Sequence, residues 1–323
     1  MGGNMLVKRW VAFLAVLGLC LSLTACLASN PVADFVRSAS GAPLAATGTP
    51  FQPQFPTALP TITPTATVAP TDTPAPSPTP QLCAEQAGKI EAREVQLPTS
   101  DTPFDFRVYT PPCFSQDPSP RYPVLYMIHG QTYKDDQWER LGIGAAADAL
   151  IDAHQAPPFL IVMPEEKDTY ADIYVESFGR DVTNGLVPWI DAHYPTCAER
   201  ACRAIGGLSR GGAWALHLGF THPALFSAIG LHSTPPFNTD PGLFPIWVRD
   251  IPGDQMPRVY MDIGKGDPFL SLASAFEAQL VRYNVPHEWY LFNGTHEEAY
   301  WSAHVADYLE WYTRPWNTLL SGD

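Results

Sequence analysis

Basic side chains are scarce in this chain: 19 Lys and Arg stand against 33 Asp and Glu, a formal charge of −14 at pH 7. That balance argues against a nucleic-acid partner and against direct docking on an anionic lipid surface, because both depend on cationic side chains meeting phosphates. It says little about a substrate. Long apolar runs are scarce too. The run Trp10–Leu23, which follows Lys8 and Arg9, is too short to span a bilayer comfortably, and no second one is present. No internal repeat is visible. Cysteine and histidine nowhere take up metal-ligand spacing, and His296 and His304 stand too far apart for the helical zinc motif. Neither a metal nor another cofactor is expected.

The basic pair followed by a short apolar stretch reads as an export signal over residues 1–25. It ends in Leu23-Thr24-Ala25-Cys26, which resembles a bacterial lipobox, so Cys26 is expected to become the acylated first residue of the mature chain and to tether it to the outer face of a bacterial membrane. Cys20 fits poorly, because bulky Leu19 precedes it. Residues 49–80 hold ten prolines, nine threonines and a single charge, Asp72. Such a segment buries too little apolar surface to fold, so residues 26–81 are expected to form an extended stalk. Residues 82–323 remain, a length that one α/β domain fills. Its four cysteines are an even set, which outside the cytoplasm favours disulfides. Of the three connectivities, Cys83 with Cys113 and Cys197 with Cys202 is preferred, because the second pair closes a short loop.

Periodicity and punctuation then divide the domain. Lys89–Leu97 and Phe104–Tyr109 read as a hairpin, and Tyr122–Ile128 as a buried strand. A helix near Ile143–Ala153, a strand Phe159–Met163 and a helix from about Phe178 to Tyr194 follow, then the short strand Cys202–Ile205. Strands Ala228–His232, Val259–Ile263 and His287–Phe292 close the sheet, with helices near Leu270–Tyr283 and Glu298–Tyr312. Alternation of this kind predicts an α/β fold: a doubly wound, mostly parallel sheet with helices on both faces. Its site belongs at the carboxyl ends of the strands.

Gly207-Leu208-Ser209-Arg210-Gly211 sits directly after one such strand. A serine between glycines at a strand-to-helix turn is held in a strained backbone conformation with its hydroxyl exposed above the sheet, which makes Ser209 a candidate nucleophile. A serine needs a base, and the base needs a carboxylate to hold its tautomer. His296, in Asn293-Gly294-Thr295-His296 after the last strand, is the expected base, and Asp267, in the loop Gly264–Pro268, the expected acid, with Asp262 as its rival. The order serine, acid, histidine is that of α/β-hydrolases. The oxyanion is expected on two backbone N–H groups, those of Arg210 and of Gln131 in the loop after Tyr122–Ile128. Loops at 133–138, 165–174 and 233–247 are rich in aromatics, acids and prolines, and suggest Trp138, His232 and Trp247 as substrate contacts, with core or turn packing as the alternative for each.

Taken together, Leu125-Tyr126-Met127-Ile128-His129-Gly130, Gly206–Gly212, Gly264–Asp267 and Gly294-Thr295-His296 resemble the "Putative esterase" family of α/β-hydrolases. That family includes feruloyl and acetylxylan esterases, enterochelin-type esterases, S-formylglutathione hydrolases and mycolyltransferases. The resemblance implies a single catalytic α/β-hydrolase domain, a triad at Ser209, Asp267 and His296, and oxyanion donors at Arg210 and Gln131. It implies hydrolysis of carboxylic esters through an acyl-enzyme, with carbohydrate-linked or aromatic esters suiting a tethered enzyme. Acyl transfer of the mycolyltransferase type, and a non-catalytic surface binding protein on the same scaffold, are the alternatives.

Overall fold

Apolar side chains without polar alternation fill the central strands, which is what a sheet covered on both faces requires. β3 (Val124–Ile128, VLYMI) and β4 (Leu160–Pro164, LIVMP) are buried at every position. A computed structural model describes residues 85–114, 121–175 and 177–321. The expected export signal 1–25, the acylated Cys26, the stalk 26–81 and Cys83 lie outside the described residues.

The leading hairpin is β1 (Lys89–Val95) and β2 (Phe104–Thr110), paired antiparallel. β2 pairs antiparallel with β4, and from there every neighbour is parallel through β5 (Arg203–Leu208), β6 (Ala228–His232), β7 (Arg258–Gly264) and β8 (His287–Phe292). The sheet order is β1-β2-β4-β3-β5-β6-β7-β8. Because side chains alternate along a strand, β3 sends Val124, Tyr126 and Ile128 into one core and Leu125 and Met127 into the other. The first core is closed by α3 (Phe178–Arg180), α4 (Val187–His193), α5 (Arg210–Thr221), α6 (Asp240–Asp250) and α7 (Leu270–Arg282). The second is closed by α1 (Gln137–Arg140), α2 (Ile143–Asp152) and the long α8 (Glu298–Ser321). This is the doubly wound α/β fold expected from the alternation of elements.

Three elements depart from expectation. The helix expected from Phe178 to Tyr194 contains a wide π turn, Asp181–Leu186, between α3 and α4. Gly185 lies in that turn, where an added Cβ would stand 2.5 Å from Thr99 Oγ1. The segment 233–247, read as a loop for its prolines, holds the start of α6. Pro241 falls at the helix start, where its missing N–H costs nothing, and Pro245 removes a single interior bond. α8 runs past Tyr312 through Pro315 to Ser321, nine residues beyond the expected end. Cys197 and Cys202 form a disulfide. Cys113 is disulfide-bonded as well. Among the described residues no helix is long and apolar enough to cross a membrane.

Candidate active site

The chain turns from β5 into α5 within one residue. Ser209 carries φ 53° and ψ −119°, a conformation that costs an L-residue energy and is held by its surroundings. Its N–H donates to His232 O at 2.8 Å. Glycines flank it because no side chain fits: a Cβ on Gly207 would stand 2.3 Å from Gly211 C, and one on Gly211 would stand 2.2 Å from Ile128 O. The same contacts press the loop after β3 against the start of α5.

His296 Nε2 lies 2.9 Å from Ser209 Oγ, and His296 Nδ1 lies 2.8 Å from Asp267 Oδ2. A carboxylate accepts, so Nδ1 donates and Nε2 is left to accept the serine proton. The other oxygen of Asp267 accepts the Phe269 N–H at 2.8 Å, which fixes the carboxylate from behind. The imidazole is gripped edge-on by Phe269 and Trp301, with ring centroids 4.9 and 5.0 Å away. The two loops that carry Asp267 and His296 are tied directly, Gly266 N–H donating to Gly294 O at 2.9 Å. Gly294 adopts φ +145°, and a Cβ there would meet Tyr300 Cδ2 at 2.5 Å. Ser209, His296 and Asp267 thus come together from the ends of β5, β8 and β7.

Arg210 opens α5, so its N–H belongs to the first turn, where N–H groups point away from the helix. Gly130 N–H is taken by Gln137 Oε1 at 2.8 Å. Gln131 N–H has no acceptor among the described residues, and the Gln131 side chain is held by Thr169 O at 3.0 Å. The loop after β3 approaches the first turn of α5 at His129, whose carbonyl oxygen would stand 2.4 Å from a Cβ on Gly211.

Two of the three suggested substrate contacts, Trp138 and His232, are sealed in the core. Trp138 is 0% exposed, donates from its indole to Ile128 O at 3.0 Å and belongs to the core under α1. His232 is 0% exposed as well, bonded to Asp262 Oδ1 at 2.7 Å and to the Tyr312 hydroxyl at 3.1 Å. Trp247, half-buried on α6, packs edge-on against His217 with centroids 5.4 Å apart. Aromaticity at a strand end did not distinguish packing from recognition. Asp262 is equally occupied: its Oδ2 accepts from Tyr300 and Tyr308 at 2.7 and 2.8 Å, so it is no rival to Asp267.

A cavity of about 210 Å³ lies beside Arg210, the residue after Ser209, and is walled by Asp172, Ile173, Tyr174, Phe237 and Thr239. A hydrogen bond of 2.9 Å from Tyr174 Oη to Thr239 Oγ1 joins its two sides. A larger cavity of about 750 Å³, walled by Lys89, Arg93, Phe114, Trp189 and Tyr194, lies where β1 begins and β2 ends, at the opposite end of the sheet from the triad. Sequence reasoning missed Glu166, two residues past β4. Its buried carboxylate accepts from Arg210 Nε at 2.7 and 2.9 Å and from Trp214 Nε1 at 2.8 Å. The available signal was an acid at the carboxyl end of a strand.

The family model described as "Putative esterase" matches residues 98–312. An endo-1,4-β-xylanase/feruloyl esterase of Xylanibacter ruminicola is 32% identical over 120 residues, 35% of this chain and 16% of that protein. An esterase of Mycobacterium tuberculosis is 30% identical over 157 residues, 45% of this chain and 31% of that protein. The aligned part spans less than a third of either relative. A solved ferulic acid esterase superposes with a TM-score of 0.64 at 22% identity, covering 72% of this chain and 99% of that one, a likeness of fold.

Proposed function

The chain belongs to the "Putative esterase" family, and on that premise we propose that it is a serine esterase that cleaves carboxylic esters through an acyl-enzyme on Ser209. The observation that carries the proposal is the unbroken run from Asp267 Oδ2 through His296 to Ser209 Oγ, with both links under 3 Å. Ser209 Oγ attacks the ester carbonyl carbon as its proton passes to His296 Nε2, and the carbonyl π pair moves onto oxygen, facing the N–H groups of Gln131 and Arg210. Asp267 holds the imidazolium. Collapse expels the alcohol, which takes the proton from Nε2. Water then attacks the acyl carbon with His296 again as base, and the acid leaves.

The cavity beside Arg210, with Tyr174 and Phe237 in its wall, suits an aromatic or sugar-linked acyl ester of small size. The feruloyl esterase among the relatives supports that class. Residues 1–25 direct export, Cys26 carries the lipid, residues 26–81 space the enzyme from the membrane, and residues 82–323 hold the activity; this part of the proposal rests on sequence alone.

The test is hydrolysis of p-nitrophenyl acetate and methyl ferulate by the full chain and by Ser209→Ala, with folding matched by circular dichroism. Turnover of either ester that falls by on the order of 10⁴-fold or more in Ser209→Ala supports the proposal. A well-folded wild type inert toward both would sink it.

A further inference from the structure

Resting on the esterase reading of Ser209, we propose that Glu166 is a positioning residue that holds the two halves of the oxyanion hole in register. Its carboxylate is fully shielded and reaches the nucleophile side of the hole: besides the bonds to Arg210 Nε and Trp214 Nε1, it pairs with an Arg210 terminal nitrogen at 2.5 Å. Arg210 is the residue that would supply one oxyanion donor, and the same terminal nitrogen also donates to Ala171 O at 3.2 Å.

The same residue reaches the other half through its backbone. Glu166 N–H donates to His129 Nε2 at 2.9 Å, which leaves the proton on Nδ1, and Nδ1 donates to Gly130 O at 2.8 Å. Gly130 C=O and Gln131 N–H belong to one planar trans peptide group, so they point in opposite directions. A ring that holds Gly130 O therefore aims Gln131 N–H. Burial pushes His129 below its ordinary range, which keeps the ring neutral and Nε2 an acceptor. One buried glutamate thus grips the side chain of the first donor residue and, through His129, the peptide plane of the second.

A buried ion pair is by itself weak grounds for stability, because desolvation offsets its attraction. Preorganised donors are another matter, since an oxyanion-hole N–H typically carries a factor of about 10²–10³ in kcat. Misplacing the Arg210 donor by a few tenths of an ångström should forfeit part of that factor and leave ground-state binding alone.

The experiment uses Glu166→Gln in the full chain, which keeps the shape and an acceptor for Trp214 but removes the charge that holds Arg210. Expected is a fall in kcat of about 10- to 100-fold with KM within about threefold. A trifluoromethyl ketone, to which Ser209 adds to give a tetrahedral oxyanion, should lose affinity by the same factor, while the unfluorinated ketone should not. Arg210→Met alone strands the Glu166 charge in the interior and is expected to fold poorly. Glu166→Gln combined with Arg210→Met removes both charges, keeps the residue 210 N–H, and should show the loss in a folded protein. Unchanged kcat and ketone affinity in folded Glu166→Gln, or equal losses for the two ketones, would overturn the assignment while leaving the esterase reading intact. A wild type that turns over no ester overturns both.

Discussion

His232 donates from Nδ1 to Asp262 Oδ1 at 2.7 Å, a histidine–aspartate pair sealed in the core that repeats the contact between His296 Nδ1 and Asp267 Oδ2 beside Ser209. The sealed pair is saturated by the hydroxyls of Tyr300, Tyr308 and Tyr312. Burial first, and the Asp262 charge second, push the Tyr300 and Tyr308 hydroxyls up, so they stay protonated and donate. His232 O accepts the Ser209 N–H, which puts the cluster directly beneath the nucleophile turn. Asp262→Ala strands three buried donors and should cost about 3–5 kcal/mol of unfolding free energy in a urea titration. A loss under about 1 kcal/mol would show that the cluster contributes little.

Gly211→Ala tests the closeness of helix and loop at the elbow. The added methyl would sit 2.2 Å from Ile128 O and 2.4 Å from His129 O, both backbone atoms that cannot swing aside. Ester turnover should fall by about 10²-fold or more as the turn and its donors move apart. Turnover near the wild-type rate would mean that the elbow tolerates a wider gap than the structure shows.

The Cys197–Cys202 disulfide closes a short loop ahead of β5. Loop-closure entropy for so few residues is worth about 2 kcal/mol. Cys197→Ala with Cys202→Ala should lower stability by about that amount and leave kcat unchanged, because the pair lies at the entrance of β5 and Ser209 at its exit. Denaturant unfolding with and without the bond, alongside ester hydrolysis, separates the two effects.

Acid should weaken the fold through two histidines. Burial pushes His129 and His222 below the ordinary value of 6.5. The unfolded chain therefore binds protons that the folded one refuses, and stability rises with pH across that interval. On acidification the loss begins near the unfolded value and stops growing once pH passes below the folded ones. The melting temperature should decline from about pH 7 to pH 5.5, and less steeply in His222→Asn. An identical slope in the variant would remove His222 from the account.

Much of this was legible in the residues because local and global rules agree. Gly207, Ser209 and Gly211 announce the elbow, since only glycine permits the contacts at 2.2 and 2.3 Å found there. Gly294 and His296 stand out for the same kind of reason, a turn after the last strand. What stayed hidden depends on tertiary placement. Trp138 and His232 occupy loop-like, strand-end positions in sequence, yet α1 and α8 bury them. Glu166 looked like one acid in a polar loop, and only its distance to Arg210, 44 positions away, reveals its role. The helix α6 was masked by prolines that its geometry accommodates.

The central claim is that Ser209 is a nucleophile activated by His296. A fluorophosphonate probe followed by peptide mass spectrometry tests it without assuming any substrate, because phosphonylation requires an activated serine and leaves a permanent mark. The account predicts one label per chain on the peptide containing Ser209, none in Ser209→Ala, and labelling slowed by about 10³-fold or more in His296→Ala. A folded wild-type chain that takes up no label, or a Ser209→Ala chain labelled as fast as the wild type, would contradict it.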